Sequence, residues 1–399
     1  MNNNVVKRTS AEEINDNQWS STENNTNNAW KLNSNGSWNN NNRNNNNGVR
    51  GVISVLSDSS QFTFEELYQA YLDCRKRKRS TEEAIEFEMD ENYSLYKLYE
   101  ELMNKTYEVP ASYVFVVLHP KPREVFAARY RDRIVHHLFY NRIIKYVEAD
   151  LIDTTYSCRK KKGALKAIKE SYQMMMDLTS DGRDLYVFKG DIEGFFMNIN
   201  KNILYKLVLP YIKDDFTLYL FNIILWNDPT NNCIFRSSKS KCKLIESNKT
   251  LFNADGNGLP IGNLPSQMFA NIYMNVLGRY VMERLHLPIF IYVDDFVIFC
   301  YDREWLKQCI RWIDDFLWDR LNLRLHKRKK YLQLYGNGYK FVGGVIKPYR
   351  VYINNNIKRK FYLNLDDNDK FISYWGLMSH HKTYNIRKII WHLLLETTR

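Results

Sequence analysis

Ile291-Tyr292-Val293-Asp294-Asp295-Phe296-Val297-Ile298 places two adjacent carboxylates between apolar arms, Ile289 to Tyr292 and Phe296 to Phe299. Arms rich in β-branched and aromatic residues read as buried strands, and the acidic pair between them as a tight hairpin turn. Burying the arms carries Asp294 and Asp295 to a sheet rim with their charges close together. Crowded carboxylates resist ionisation unless cations compensate them. A divalent metal is one compensator, and hard Mg²⁺ prefers carboxylate oxygens together with substrate phosphates. For the dipeptide alone, a solvated Asp-Asp turn is the commoner meaning, so the choice rests on the rest of the chain.

Upstream, Leu185-Tyr186-Val187-Phe188-Lys189-Gly190-Asp191 reads as a strand ending in an acid, followed by a helix over Ile199 to Val208. Gly190 and Gly194 permit close backbone approach. Phe195 and Phe196 pack beneath the sheet, or one of them faces a ligand sugar. Residues Gly258 to Gln267 form a Gly/Pro turn feeding an amphipathic helix with Met268, Ile272, Val276 and Tyr280 on one stripe. Free N–H groups at such a helix start suit an anion. Tyr156-Ser157-Cys158-Arg159-Lys160-Lys161-Lys162-Gly163 is a basic turn before a helix from Ala164 to about Met176. It suits polyphosphate and is equally a surface charge run.

Downstream, Trp305 to Leu321 reads as a helix. Leu323 to His326 reads as a short strand before Lys327-Arg328-Lys329-Lys330, and Tyr339 to Val345 as a hairpin strand with a Gly turn. Nearer the N-terminus, Phe64, Leu67, Tyr71 and Cys74 share a helical face, and Tyr113 to Leu118 reads as a strand. A long helix runs to about Ile152. Its His136-His137 pair lacks a third metal ligand at suitable spacing and reads as a surface pair. Residues 227–257 are polar and insertion-like, and 356–399 form a small basic helical unit.

With 399 residues the chain holds two or three cores, and its net charge of +12 fits an anionic partner, nucleic acid first. Six scattered Cys without a CxxC pair read as reduced thiols. No apolar signal region or membrane-spanning run is visible, so the expected setting is cytoplasmic, with no membrane partner. Residues 1–52 stand apart. Asn runs such as Asn39 to Asn42 and Asn44 to Asn47 read as a poorly ordered polar tract, yet Trp19, Trp30 and Trp38 are unusual in a linker.

One ordered set now carries a family. It comprises Arg123, Arg159, Asp191-Ile192-x-x-Phe195-Phe196, Gly262-x-x-x-Ser266-Gln267, Tyr292-Val293-Asp294-Asp295, Leu325-His326-x-x-Lys329 and Gly343-Gly344. The set resembles reverse transcriptases from about Phe62 to the C-terminus. The implied fold is α+β, a right-hand polymerase. Fingers and N-terminal helices would span 53–184, and an antiparallel-sheet palm 185–345 with its insertion near 227–257. A small helical thumb would span 346–399, all preceded by the Asn-rich segment. Ile261-Gly262-x-x-x-Ser266-Gln267 departs from the Gln-Gly-x-x-x-Ser-Pro of most members and is similar to the form in diversity-generating retroelements. The wider run to Tyr273, the segment Arg131 to His137 and the end region Tyr384 to Arg387 look like that group too.

The resemblance implies error-prone copying of a template-repeat RNA into cDNA, with errors opposite adenine, to diversify a variable-protein gene. Catalysis would fall to Asp191, Asp294 and Asp295, with two Mg²⁺ ions about 3.5–4 Å apart on these acids and the Ile192 carbonyl. Arg123, Arg159, Lys162, Phe196, Ile261, Gly262 and Lys329 would contact the incoming dNTP. Ser266, Gln267, Tyr292, Lys358, Arg359 and Lys360 would contact template RNA and the DNA primer. A small basic accessory protein is the implied partner. Because Asn codons are AAC and AAU, residues 1–52 are readable as an adenine-rich template repeat translated in frame. Two other readings remain: a related prokaryotic enzyme of phage defence or a retron, and a non-catalytic RNA-binding scaffold with a degenerate palm.

Overall fold

The computed structural model describes residues 62–76, 80–118, 121–365, 367–379, 384 and 387–388, with the backbones of 17–23, 28–33 and 38–42. Strands β1 (Asn17–Glu23), β2 (Asn28–Asn33) and β3 (Trp38–Asn42) form an antiparallel sheet inside the Asn-rich segment, where the sequence suggested no regular structure. The rest of that segment lies outside the described residues. Then follow α1 (Phe64–Arg75), α2 (Glu82–Met89), α3 (Glu91–Met103), β4 (Ser112–Val117), β5 (Arg123–Ala127), α4 (Tyr130–Asp150) and α5 (Ala164–Leu178). Next come β6 (Tyr186–Asp191), α6 (Phe195–Asn198), α7 (Lys201–Val208), α8 (Asp215–Trp226), β7 (Cys233–Phe235), α9 (Lys239–Cys242) and α10 (Leu264–Arg279). The chain ends with β8 (Ile289–Tyr292), β9 (Asp295–Cys300), α11 (Arg303–Leu321), β10 (Tyr331–Leu334), β11 (Tyr339–Phe341), β12 (Gly344–Lys347), β13 (Arg350–Ile353), α12 (Asn355–Tyr362) and α13 (Asn368–Ser379). The fold is a mixture of helices and sheets.

The chain divides into two compact units. One takes residues 1–113, 128–143 and 212–227. Its first helix shows why the local sequence folds as it does. Thr63 accepts from the Glu66 N–H while Glu66 reaches back to the Thr63 N–H, a reciprocal cap that satisfies two orphan donors. Leu67, Tyr71 and Cys74 are buried as their spacing predicts, but Phe64, in the first turn, stays 36% exposed. In the same unit Asp132 is buried and accepts from the Tyr107 hydroxyl.

The second unit takes residues 114–127, 144–211 and 228–399 and holds the central sheet. The order is β10-β6-β9-β8, all antiparallel. Val187, Phe290, Val297 and Phe299 pack on one face with Ile168, Met175, Tyr339 and Phe341. β10 is a correction to the sequence reading, which put a strand at Leu323 to His326. That segment makes only a single bridge, Ile192 to Leu325, and the true partner of β6 begins at Tyr331. Helix α10 is also more buried than a stripe predicts. Twelve of its residues from Pro265 to Gly278 are buried, including Asn271 and Asn275. Their amides bond to the Ser157 and Asp150 carbonyls, which is how polar residues enter a core. Ile353, Phe361 and Met378 make a small C-terminal core.

Candidate active site

Side chains alternate along a strand, so Val187, Lys189 and Asp191 share one face of β6. Register places Val187 against Phe299, Lys189 against Val297 and Asp191 against Asp295. Phe290 and Tyr292 continue the same face on β8. This face therefore runs from apolar core to charged rim within two residues. On the opposite face Phe296 lies over Gly190, and a Cβ at Gly190 would fall inside that ring. A side chain there would push apart the two strands that carry the acids.

The hairpin turn differs from the sequence reading in one detail. Only Asp294 sits in the turn. Asp295 begins the outgoing strand and pairs with both Tyr292 and Asp191. Val293 makes this possible by adopting φ 60°, a left-handed conformation that a β-branched residue rarely takes. Such strain persists only where surrounding structure enforces it, here two buried arms.

Burial, then the charges of Asp191 and Asp295, push the Asp294 carboxyl up to about 6. Burial also raises Asp295, opposed by Lys189. Lys189 Nζ lies 2.7 Å from Asp295 Oδ1 and 3.9 Å from Asp191 Oδ2, with its side chain 10% exposed. Sequence reasoning passed over Lys189; the available signal was a lysine two residues before an acid on an otherwise apolar strand. Lys329 Nζ donates to Asp191 Oδ1 at 2.9 Å. The basic segment is delivered there by backbone bonds, His326 N to Asp191 O at 2.8 Å and Glu193 N to Arg324 O at 3.0 Å. Because carbonyls alternate too, the Ile192 carbonyl is turned to the β9 side. Among the described residues no three His, Cys, Asp or Glu side chains form a ready metal-binding group, and lysines pair with two of the acids. The donors are all oxygens, which suits a hard divalent cation once Lys329 moves aside.

The other expected residues divide into those near this rim and those engaged elsewhere. Phe196 and Ile261 pack against one apolar cluster of Val114, Phe126, Met197 and Leu251. Gly262, at φ 116°, leaves no room for a Cβ beside Val125, and the Ile261 carbonyl accepts from Phe126 N at 3.0 Å. This ties the turn before α10 to β5, where Arg123 is exposed. Ser266 is buried, Gln267 exposed and Tyr292 half-buried. Lys358, Arg359 and Lys360 lie on α12, well along the chain from the rim.

Arg159 and Lys162, expected at the triphosphate, are engaged with groups of their own loop and of α4. The Arg159 guanidinium, 7% exposed, binds Glu148 Oε2, Ile152 O and Thr155 O, each at 2.9 Å. Lys162 Nζ binds the Asp153 carbonyl at 2.7 Å and its carboxylate at 2.6 Å. Both cations staple the loop that pairs with β8 through Tyr156 N to Ile291 O at 3.0 Å. His136 and His137 lie on α4 with intermediate exposure.

A family model for the reverse transcriptase (RNA-dependent DNA polymerase) matches residues 121–346, a span that contains every rim residue above. The chain belongs to this family. Among curated proteins, Protein YkfC of Escherichia coli (strain K12) is 25% identical over 189 residues. That alignment covers 47% of this chain and 45% of YkfC, so the chain spans less than half the length of that relative. Similar solved structures include telomerase from Candida tropicalis. The apo form truncated from its C-terminal domain has a TM-score of 0.43 at 12% identity, covering 65% of this chain and 59% of that one. The form in complex with the TWJ fragment of telomeric RNA has a TM-score of 0.44 at 12% identity, covering 68% and 53%. Among the described residues no helix is long and apolar enough to cross a membrane.

Proposed function

We propose that this reverse transcriptase is an RNA-directed DNA polymerase whose catalytic acids are Asp191, Asp294 and Asp295. The observation that carries the reading is the pairing of Asp191 with Asp295 beside a turn that holds Asp294. In this account 185–345 serve as palm, with fingers before and thumb after. Polymerisation is phosphoryl transfer, in which the protein supplies position and charge. Asp191, Asp294 and the Ile192 carbonyl would hold two Mg²⁺ ions, which would supply Lewis acidity at the primer hydroxyl and the leaving pyrophosphate. Asp295 stays paired with Lys189, so the inner carboxylate is neutralised and the outer two remain available. Lys329 leaves Asp191 for the triphosphate, where Arg123 also reaches. Phe196 lies under the dNTP sugar and excludes a 2′-hydroxyl.

The finer role is mutagenic copying of a template-repeat RNA, with a small basic accessory protein as partner. Ile261 supports it: its side chain packs with Phe196 on an apolar cluster, so this position offers no polar check on the incoming nucleotide. Residues 1–52 would be the translated template repeat. A second genomic copy of that stretch, differing mainly at adenines, is the expected companion; flanking DNA without one favours a phage-defence or retron enzyme.

The direct test is primer extension on an RNA template with dNTPs and Mg²⁺. Asp191→Asn and Asp294→Asn each abolish cDNA synthesis and leave RNA binding intact. Synthesis at the wild-type rate by either variant refutes the assignment.

A further inference from the structure

The polar stretch between α8 and α10 is anchored beside the acidic rim. β7 pairs with β4, and Arg236 N donates to Val114 O at 2.8 Å. At the other end the buried Glu124 carboxylate accepts from Thr250 Oγ1 at 3.1 Å and Leu251 N at 2.9 Å. Between these anchors the Asn248 carbonyl closes on Gly194, three positions after Asp191: a Cβ there would lie 3.5 Å from it.

On this pinned segment Phe235 and Phe252 stack with centroids 5.6 Å apart and planes 16° from parallel. Both nevertheless stay open to solvent, 54% and 42% exposed. With Glu124, Cys242, Ile245 and Thr250 they line a cavity of about 270 Å³. Lys239, Lys241 and Lys243 flank Cys242 and are all exposed. Glu246, bonded to Lys249, also feels Lys121 and Lys329, and Lys329 is the cation bonded to Asp191.

Exposed stacked rings next to a run of cations are what an unpaired nucleic-acid strand requires: π-faces for bases and positive charge for phosphates. A cavity slightly smaller than ordinary ligand pockets suits one planar ring better than a drug-sized molecule. A protein partner needs apolar area without three intervening lysines. We propose that this surface binds single-stranded RNA, the unpaired template ahead of the acidic rim, with a base stacked on Phe235–Phe252 and phosphates on Lys239, Lys241 and Lys243. Only the word template rests on the polymerase reading.

The test measures fluorescence anisotropy of a short single-stranded RNA and of a blunt RNA–DNA duplex on the full chain, across a salt series. Phe235→Ala is expected to weaken single-strand binding about tenfold, and Phe235→Trp to restore it. Lys239→Glu with Lys241→Glu and Lys243→Glu is expected to reduce the salt slope for the single strand by about 2. Duplex affinity stays unchanged in each. Wild-type single-strand affinity in both the Ala and the triple variant overturns the inference, and is the result a protein-docking face gives. Equal losses on the duplex, or no recovery with Trp, overturn it as well. Primer extension by the wild type separates the two accounts. Extension with unaltered single-strand binding in the variants sinks only this inference, whereas Phe235-dependent binding without extension sinks only the polymerase reading.

Discussion

In the basic loop between α4 and α5, Arg159 holds Glu148 and two carbonyls and Lys162 holds Asp153 twice, while Lys160 and Lys161 are exposed. At the rim of the central sheet, Asp191 and Asp295 have lysine partners, but Asp294 faces both of them and is raised to about 6. Both regions look functional as strings of charge. Arg159 and Lys162 spend their charge inside the fold and so make structure; the rim keeps a surplus of negative charge and so has something to offer a cation. Counting partners, more than counting charges, separates a staple from a site.

Breaking the rim should have the largest effect. Asp191→Asn is expected to lower RNA-templated extension by about a thousandfold or more, read from single-turnover rates. The loop should respond in another observable. Arg159→Ala leaves two carbonyls and Glu148 without their donor and is expected to cost about 2 kcal/mol or more of stability in urea unfolding. The KM for dNTP should hardly change. Lys329→Ala should show the reverse pattern, because that side chain is 42% exposed: little loss of stability and a raised KM for dNTP. A raised KM in Arg159→Ala with unchanged stability would return that residue to the triphosphate.

The first unit offers a smaller, pH-dependent contrast. Burial lifts the Asp132 carboxyl to about 7, against the opposing pull of Tyr107, Arg131 and Arg129. A folded-state value above the unfolded one of about 3.9 means this group favours folding at low pH and loses that contribution as pH rises through 7. Asp132→Asn is therefore expected to flatten the fall in Tm between about pH 4 and 7, by a few degrees at most. An unchanged slope would place the titration elsewhere. Smallest is Ile261→Gln, expected to reduce misincorporation opposite template adenine while leaving the extension rate within about threefold.

The sequence made much of this legible for identifiable reasons. The runs at Tyr186–Asp191 and Ile289–Cys300 are apolar on both faces, so their burial and the rim position of their acids follow directly. Lys189 was not legible because a lysine inside an apolar strand has no meaning until register sets Asp295 diagonally across from it. β10 was missed because Tyr331–Leu334 is half-buried throughout and follows four basic residues, so no alternation announces it. The acceptors of Arg159 and Lys162, Glu148 and Asp153 among them, were not legible because they are reached through a loop whose Cys158 and Lys161 take positive φ. Periodicity reports which face is buried; it is silent on which charges meet across elements.

The most direct measurement is the thermal shift that Mg²⁺ produces in the wild type and in Asp294→Asn. If crowding at the rim creates a place for a divalent cation, Mg²⁺ raises the wild-type Tm by about 2 °C or more and leaves the variant unmoved. Equal shifts in the two proteins, or none in the wild type, would contradict the account.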